Sequence, residues 1–372
     1  MKKIFTLFTL LLIFSHMAIA QSSISVEPFK LGTFRINNND FLGIVLRDEF
    51  IVDLNMAQQF IKTGYGFDTP NDMRSLIERY EHGLKDIIYE IVRIVVKEDM
   101  IEKSSLEFIY HVSEVNTLAP IMPGKMLNAA VNFYSHVEEA NTPEAQRLAA
   151  ERRRASRGIP YLFLKPIEGA VIGQGDSVII PWGRDRIDWE VELAIVIGKT
   201  AKYVSATDAT DYIFGYMVSL DISDRGGRPP NSRPGSDWFI GKGHDTFAPI
   251  GPWIVPKEFY GDPMERLEQV LEIDGEIMQR AGPGDMIHSI YELIEYGSSV
   301  ITLYPGDVIN NGTSGGTGAG TYLRGETRYL QPGQVIEASI DGIGTLILPV
   351  EGESEPPKRT GSYLPPVSSY TN

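Results

Sequence analysis

Apolar and polar residues change their rhythm several times along this chain of 372 residues. Between residues 29 and 54 the period is two. Phe29-Lys-Leu-Gly-Thr-Phe-Arg35 alternates, the run Asn37 to Asp40 interrupts it, and Leu42-Gly-Ile-Val-Leu46 resumes it. That pattern predicts short strands joined by turns. From Asp72 to Glu98 the period lengthens, with Leu76, Tyr80, Leu84, Ile87, Ile88 and Ile91 falling at helical spacing, as expected of an amphipathic helix or helix pair on a core. Thr142 and Pro143 then open a stretch to Arg157 that is rich in Ala, Arg and Glu, a helix start with proline at its first position. From Tyr161 to Val350 short apolar runs such as Ser177-Val-Ile-Ile-Pro181, Val191 to Gly198, Ile213 to Asp221 and Leu346-Ile-Leu348 are separated by Gly, Pro, Asp and Asn. Many short strands with frequent turn signals predict a mainly β protein with some α, a mostly antiparallel sandwich or roll.

The two ends read differently. Lys2 and Lys3 precede the apolar run Ile4 to Phe14, and Ala18-Ile-Ala20 offers a small-x-small cleavage pattern before Gln21. This predicts a signal peptide over residues 1–20 and export to the periplasm or beyond the cell; the run is short of the ~20 residues that span a bilayer, so no membrane association is expected after cleavage. An N-terminal α+β region is expected over 21–120 and the main unit over 121–350, with a helical insertion at 141–158. The tail Glu351 to Asn372, with Glu-Pro-Pro, Leu-Pro-Pro and Ser-Ser, is expected to stay unordered. No internal repeat is seen.

Composition removes several classes of function. With no cysteine, disulfides, thiolate metal sites and a cysteine nucleophile are excluded together. The formal net charge of −15, more negative by two without Lys2 and Lys3, opposes nucleic acid and anionic lipid. A small molecule, a cation or another protein is the expected partner. Arg152, Arg153, Arg154 and Arg157 form the one basic cluster; a solvated helix that pairs with acids fits it, as does a lid over an anionic substrate.

Glu190-Val-Glu192 leads into the apolar Leu193-Ala-Ile-Val-Ile197. On a strand, residues two apart share a face, with Cα atoms about 7 Å apart. Two such carboxylates repel unless a cation or basic residues lie between them; an acidic edge strand is the plainer alternative. The strand Tyr212 to Leu220 ends in Asp221, a third oxygen donor. Carboxylates alone favour a hard cation, Mg²⁺ first, with Mn²⁺ or Ca²⁺ as alternatives, over zinc. His136 and Glu139 are three apart, so on a helical turn the carboxylate orients the imidazole, as a general base requires. Lys242, between Gly241 and Gly243, has the freedom to approach a substrate oxygen as a positive electrophile, or equally to point into water. The glycine-rich Asn311 to Gly320 lacks the Gly-Lys-Ser/Thr ending of a phosphate loop and is read as an active-site loop.

In order and type, these pieces resemble the fumarylacetoacetate hydrolase family. The resemblance is carried by Pro120 to Glu139, Phe163-Leu-Lys165-Pro166, Asp188-Trp-Glu190-Val-Glu192, Gly215 to Arg225, Gly241-Lys242 through Pro252, Leu303 to Ile309, Gly312-Thr313 and Gly342-Ile-Gly-Thr345. It implies a mixed β-sandwich roll, a homodimer, and Mg²⁺ or a similar cation on Glu190, Glu192 and Asp221. His136, Glu139 and Lys242 match catalytic positions; Arg225, Gly312 and Thr313 match substrate-binding ones. The implied chemistry is hydrolysis of a C–C bond in an acylpyruvate-like or diketo acid chelated by the cation, His136 with Glu139 activating water. Hydratase, decarboxylase, isomerase or lyase chemistry on a 2-oxo acid uses the same site, and a non-catalytic metal-dependent binding protein is a further alternative. Phe133 in place of the usual tyrosine, Leu220 before Asp221, Arg228, Ser314 and the 141–158 insertion depart from the pattern, so the metal site looks intact and the pocket altered.

Overall fold

The computed structural model describes residues 26–61, 68–101, 106–139, 143–230, 232, 236–321, 326, 328–357 and 364–370. The expected signal peptide and Thr142, the expected helix cap, lie outside the described residues.

The chain opens with β1 (Phe29–Ile36), β2 (Asn39–Leu46) and β3 (Phe50–Asp53). Asn37 and Asn38, both at positive φ (48° and 65°), join β1 to β2, the backbone that a tight two-residue hairpin demands and asparagine tolerates. Next come β4 (Ile109–His111), β5 (Met126–Ala129), β6 (Leu162–Leu164), β7 (Val191–Ile197), β8 (Ile213–Leu220), β9 (Ala248–Pro256) and β10 (Val308–Asn310). They form one sheet in the order β4-β3-β2-β1-β9-β8-β7-β10-β5-β6. The expected N-terminal region is therefore continuous with the main unit, joined where Leu31 faces Ile254.

The sheet is mostly antiparallel, as expected, although β10 pairs parallel with β5. A five-stranded sheet containing Gln269–Ile273, Val335–Ile340 and Gly344–Gly352 covers one face of the large sheet. Leu193, Ile195 and Ile197 join Leu271, Ile336 and Leu348 in that core. On the opposite face Ala194 and Val196 pack with Leu76, Ile87 and Ile91. Those three belong to a helix pair, Met73–Arg79 and Lys85–Lys97, broken by an irregular turn at Gly83 (φ 101°). Asp72 caps the first helix by accepting from Ser75 N at 2.9 Å.

The tail departs from expectation. Glu351 and Gly352 extend the last strand, and after a gap in the described residues Val367 is buried and Tyr370 accepts from Arg184 Nη1 at 2.7 Å. One valine and one tyrosine are enough to anchor a proline-rich segment, because proline limits what remains to be ordered.

Candidate metal centre and its cleft

The site begins with strand alternation. In β7 Val191, Leu193 and Ile195 turn into the inter-sheet core, so Glu190 and Glu192 share the other side. The strand lies between β8 and β10, which removes the edge-strand alternative. The ladder with β8 pairs Val191 with Leu220, and Asp221 N donates to Glu190 O at 2.9 Å. That places Asp221 beside the two glutamates. All three are almost wholly buried, and each offers a carboxylate oxygen within 4.8 Å of the others.

Three buried anions need positive charge close by. Lys242 Nζ donates to Glu190 Oε2 at 2.7 Å, Asp221 Oδ2 at 2.5 Å and Ser223 Oγ at 2.6 Å. Lys165 Nζ reaches Asp221 Oδ1 and donates to Ile222 O at 3.1 Å. Arg225 bridges Glu190 Oε1 and Asp188 Oδ2, the latter at 3.0 Å. Burial alone would raise the Glu190 carboxyl, but Lys242, Arg225 and His136 outweigh it and hold it well below the carboxylate range. Glu192 is different. Among the described residues its hydrogen-bond donor is Gly312 N at 3.0 Å, and burial, with Asp221 and Glu190 beside it, pushes its carboxyl well above the ordinary value. A buried carboxylate that the protein's own cations do not neutralise is the donor set a hard divalent cation fits.

The general-base pair is assembled as its spacing predicts. The helical turn Tyr134–Val137 brings His136 Nδ1 to 3.2 Å from Glu139 Oε2, leaving Nε2 facing Glu190 Oε1 at 4.0 Å. The turn is entered through Val131, a β-branched residue at φ 53°. That conformation is costly for such a side chain and persists only where neighbours hold it. Asn132 does so: its Nδ2 donates to His288 O at 3.0 Å and Asn311 O at 2.8 Å, and its Oδ1 accepts from His288 N at 2.9 Å.

The glycine-rich loop 311–320 explains itself through its backbone N–H groups. Gly316 N donates to Glu139 Oε1 at 2.5 Å, and Gly318 N and Ala319 N donate to Asp188 at 2.5 and 3.1 Å. It is an anion cradle, but the anions are the protein's own carboxylates. A Cβ at Gly320 would stand 2.1 Å from Glu139 Oε1, and Gly316 sits at φ 99° with Met278 O 1.9 Å from where a Cβ would be. Only glycine fits these two places.

Several predicted roles move. Lys242 ends the short helix Trp238–Lys242 with its ammonium spent on three acceptors, so it is first a counter-charge; burial lowers its pKa, but Asp221 and Glu190 raise it above the ordinary value. Gly312 contributes its N–H to Glu192. The Thr313 hydroxyl donates to Val191 O at 3.0 Å and accepts from Gln279 Nε2 at 2.8 Å, so both are supports of the glutamate strand as well as neighbours of the cleft. Lys165 and Asp188 carry no role in the sequence reading, yet both are central. Asp188 was within reach, since it continues the every-second-residue row of Glu190 and Glu192 one step back.

Part of this cluster lines a small cleft that opens to solvent. Glu190, Glu192, Asp221, His136, Arg225 and Lys242 form its polar side, and Val131, Phe163 and Trp238 its apolar side. Phe163 and Trp238 pack with ring centroids 4.7 Å apart, and Lys242 Nζ lies 5.4 Å from the Phe163 centroid.

Residues 125–351 match the family described as fumarylacetoacetate (FAA) hydrolase C-terminal. The chain belongs to this family. It is 36% identical over 236 residues, 63% of this chain and 69% of the relative, to the mitochondrial oxaloacetate tautomerase FAHD2A of Bos taurus. A 2,4-didehydro-3-deoxy-L-rhamnonate hydrolase of Sphingomonas sp. is 36% identical over 222 residues, 60% of this chain and 71% of that one. Among solved structures, maleylpyruvate hydrolase from Sphingobium sp. SYK-6 in complex with manganese(II) and pyruvate superposes with a TM-score of 0.61 at 28% identity, covering 87% of this chain and all of that one. Family relatives thus include tautomerases, isomerases and hydrolases.

Proposed function

We propose that this chain is a divalent-cation-dependent enzyme that acts on a small 2-oxo acid, hydrolysing a C–C bond in an acylpyruvate-like or diketo acid. One observation carries the reading: a buried carboxylate triad with its third member uncompensated, sharing one small cleft with an oriented His–Glu pair. Glu190, Glu192 and Asp221 would hold the cation, Mg²⁺ or Mn²⁺ by the all-oxygen donor set. When bound, such an ion polarises a substrate carbonyl or carboxylate oxygen.

The remaining work falls to the chain's own residues. His136, held by Glu139 through Nδ1, presents Nε2 to the cleft to accept a proton from water or from a substrate carbon. Arg225 and Lys242 supply positive charge where a substrate carboxylate or a developing oxyanion lies. Phe163, Trp238 and Val131 form the apolar wall opposite, with Trp238 and Val131 at its exposed rim. A second reading, tautomerisation or isomerisation of the oxo acid, needs only the proton transfer at His136 and is favoured by the 36% identity to a protein named an oxaloacetate tautomerase.

The test is to give the full chain, loaded with Mn²⁺ or Mg²⁺, an acylpyruvate and, separately, oxaloacetate, following the enol absorbance and identifying products. Two acid fragments signify hydrolysis; loss of enol without cleavage signifies tautomerisation. His136→Ala should lower either rate by about 10²- to 10⁴-fold with Mn²⁺ binding unchanged. A metal-loaded chain that turns over neither compound would overturn the proposal. Export is proposed separately, on the pattern Lys2-Lys3, Ile4 to Phe14 and Ala18-Ile-Ala20; N-terminal sequencing of the protein from its native cells should start at Gln21, and a retained Met1 would refute it.

A further inference from the structure

Arg225 is followed by Gly226 and Gly227, the pair of residues with the greatest backbone freedom to lose. An arginine on such a turn would sweep a wide arc unless the glycines were held from outside. Two contacts hold its first half: Arg225 N donates to Arg186 O at 2.9 Å, and Ile187 and Asp188 pair with Asp224 and Ser223. The second half is held by residues far away in sequence.

Arg184 is at the centre of that support. Its Nε donates to Asp224 Oδ2 at 2.6 Å, its Nη2 to Gly227 O at 2.8 Å and its Nη1 to Tyr370 Oη at 2.7 Å. Tyr370 Oη in turn donates to the same Gly227 carbonyl at 3.2 Å. Asp224 Oδ1 accepts from Gly226 N at 2.7 Å, and His244 Nε2 lies 3.2 Å from Asp224 Oδ2. Arg184 and Asp224 are almost fully buried, so water does not readily replace a lost partner. The segment bearing Tyr370 is seated by Val367, buried, whose N donates to Gly183 O at 2.8 Å. Val367 packs so tightly on the turn that a Cβ at Gly226 would lie 2.6 Å from its Cγ2. Residues 364–370 lie beyond the part of the chain that matches the family, which ends at 351.

We propose that the C-terminal segment 364–370 is a positioning element for Arg225. Tyr370 acts through Arg184 and Asp224 to fix the Gly226-Gly227 turn, which sets how strongly the cleft binds an anionic ligand. The inference rests on the reading of Arg225 as an anion-binding residue of the proposed site. Its parts come from three places: the turn at Gly183-Arg184, the loop 224–227 and the chain's end. The chain end thereby reaches the active site through hydrogen bonds, without lining the cleft.

The test compares the full chain with Tyr370→Phe and with a chain ending at Tyr363, each loaded with Mn²⁺. The probe is oxalate, an unreactive dianion with the donor chemistry of an enolised 2-oxo acid. Hydrogen exchange at residues 225–227 should accelerate by about tenfold or more in the shortened chain. Oxalate affinity should fall by roughly five- to thirtyfold, with Mn²⁺ affinity within about twofold of the full chain, and Tyr370→Phe should show a smaller change in the same sense. In an Arg225→Met background the truncation should weaken oxalate binding by no more than about twofold further, because the interaction it supports is already gone. Unchanged exchange, or a truncation effect that persists in full without Arg225, would overturn the inference. If the shortened chain does not fold, Tyr370→Phe decides by the same two measurements. Oxalate binding that depends on both Tyr370 and Arg225, in a protein that turns over no oxo acid, would sink the enzymatic reading and leave this one standing.

Discussion

Two buried charge clusters lie on either side of the bond between Asp224 and Arg225, and they are built to opposite ends. In the first, Asp224 is matched by Arg184, with His244, Tyr370 and the Gly227 carbonyl taking up what the ion pair leaves. In the second, four carboxylates (Asp188, Glu190, Glu192, Asp221) meet three cations (Lys165, Lys242, Arg225). Glu192 is the member whose ionisation this arrangement opposes most. Burial of acids is therefore no sign of function by itself. The sign is a buried acid that the surrounding protein leaves unneutralised, since folding would not retain that cost without a ligand to offset it.

The largest effect expected from this contrast is at Glu192. Glu192→Gln should abolish tight Mn²⁺ binding and lower turnover by about 10³-fold or more, as loss of one charged donor from a three-carboxylate site implies. Without metal the same substitution should raise the melting temperature at pH 7, because a carboxyl pushed well above its ordinary value costs stability once the pH exceeds the unfolded value of ~4.3, and an amide carries no such cost. A fall in the metal-free melting temperature would break the comparison. Arg184→Met should do the reverse, destabilising the protein by about 3–5 kcal/mol in urea whether or not metal is present, because it strands Asp224. If that loss disappeared on adding Mn²⁺, the two clusters would not be separable.

The smallest effect is a pH limb. Burial would raise the Asp224 carboxyl, but His244 and Arg184 outweigh it and hold it below its ordinary value. A depressed folded value means that the stability it contributes is complete above the unfolded value of ~3.9 and is lost as pH falls through the folded one. Acid unfolding of Asp224→Asn should accordingly be less steep below pH ~4 than that of the parent, measured by urea midpoints across the range. An unchanged slope would remove Asp224 from the account of acid stability.

The carboxylate triad was legible because strand alternation is a local property: Glu190 and Glu192 show their shared face in the sequence, and Asp221 ends the next apolar run. His136 and Glu139 were legible for the same reason, at helical spacing. Lys165 was not. Its position just after β6 says nothing of where a four-carbon stem will lead, and its contact with Asp221 spans 56 residues of sequence. Nor could spacing reveal that the loop 311–320 turns its N–H groups onto Glu139 and Asp188, since glycine marks freedom and not direction. The anchored chain end was missed because composition describes an average, and here two side chains decide.

The continuity of the large sheet has a practical consequence for anyone who would isolate the catalytic part. A cut near residue 120 would strip β1 from β9, which pairs in turn with β8, the strand that ends one residue before Asp221. The fragment would carry a raw row of peptide groups one ladder from the strand that leads to the carboxylate triad, together with the apolar surface that Leu76, Ile87 and Ile91 now shield. Such an edge recruits other chains. Expression trials of the family-matching portion alone should therefore yield inclusion bodies, and the economical unit for crystallography or engineering starts before Phe29.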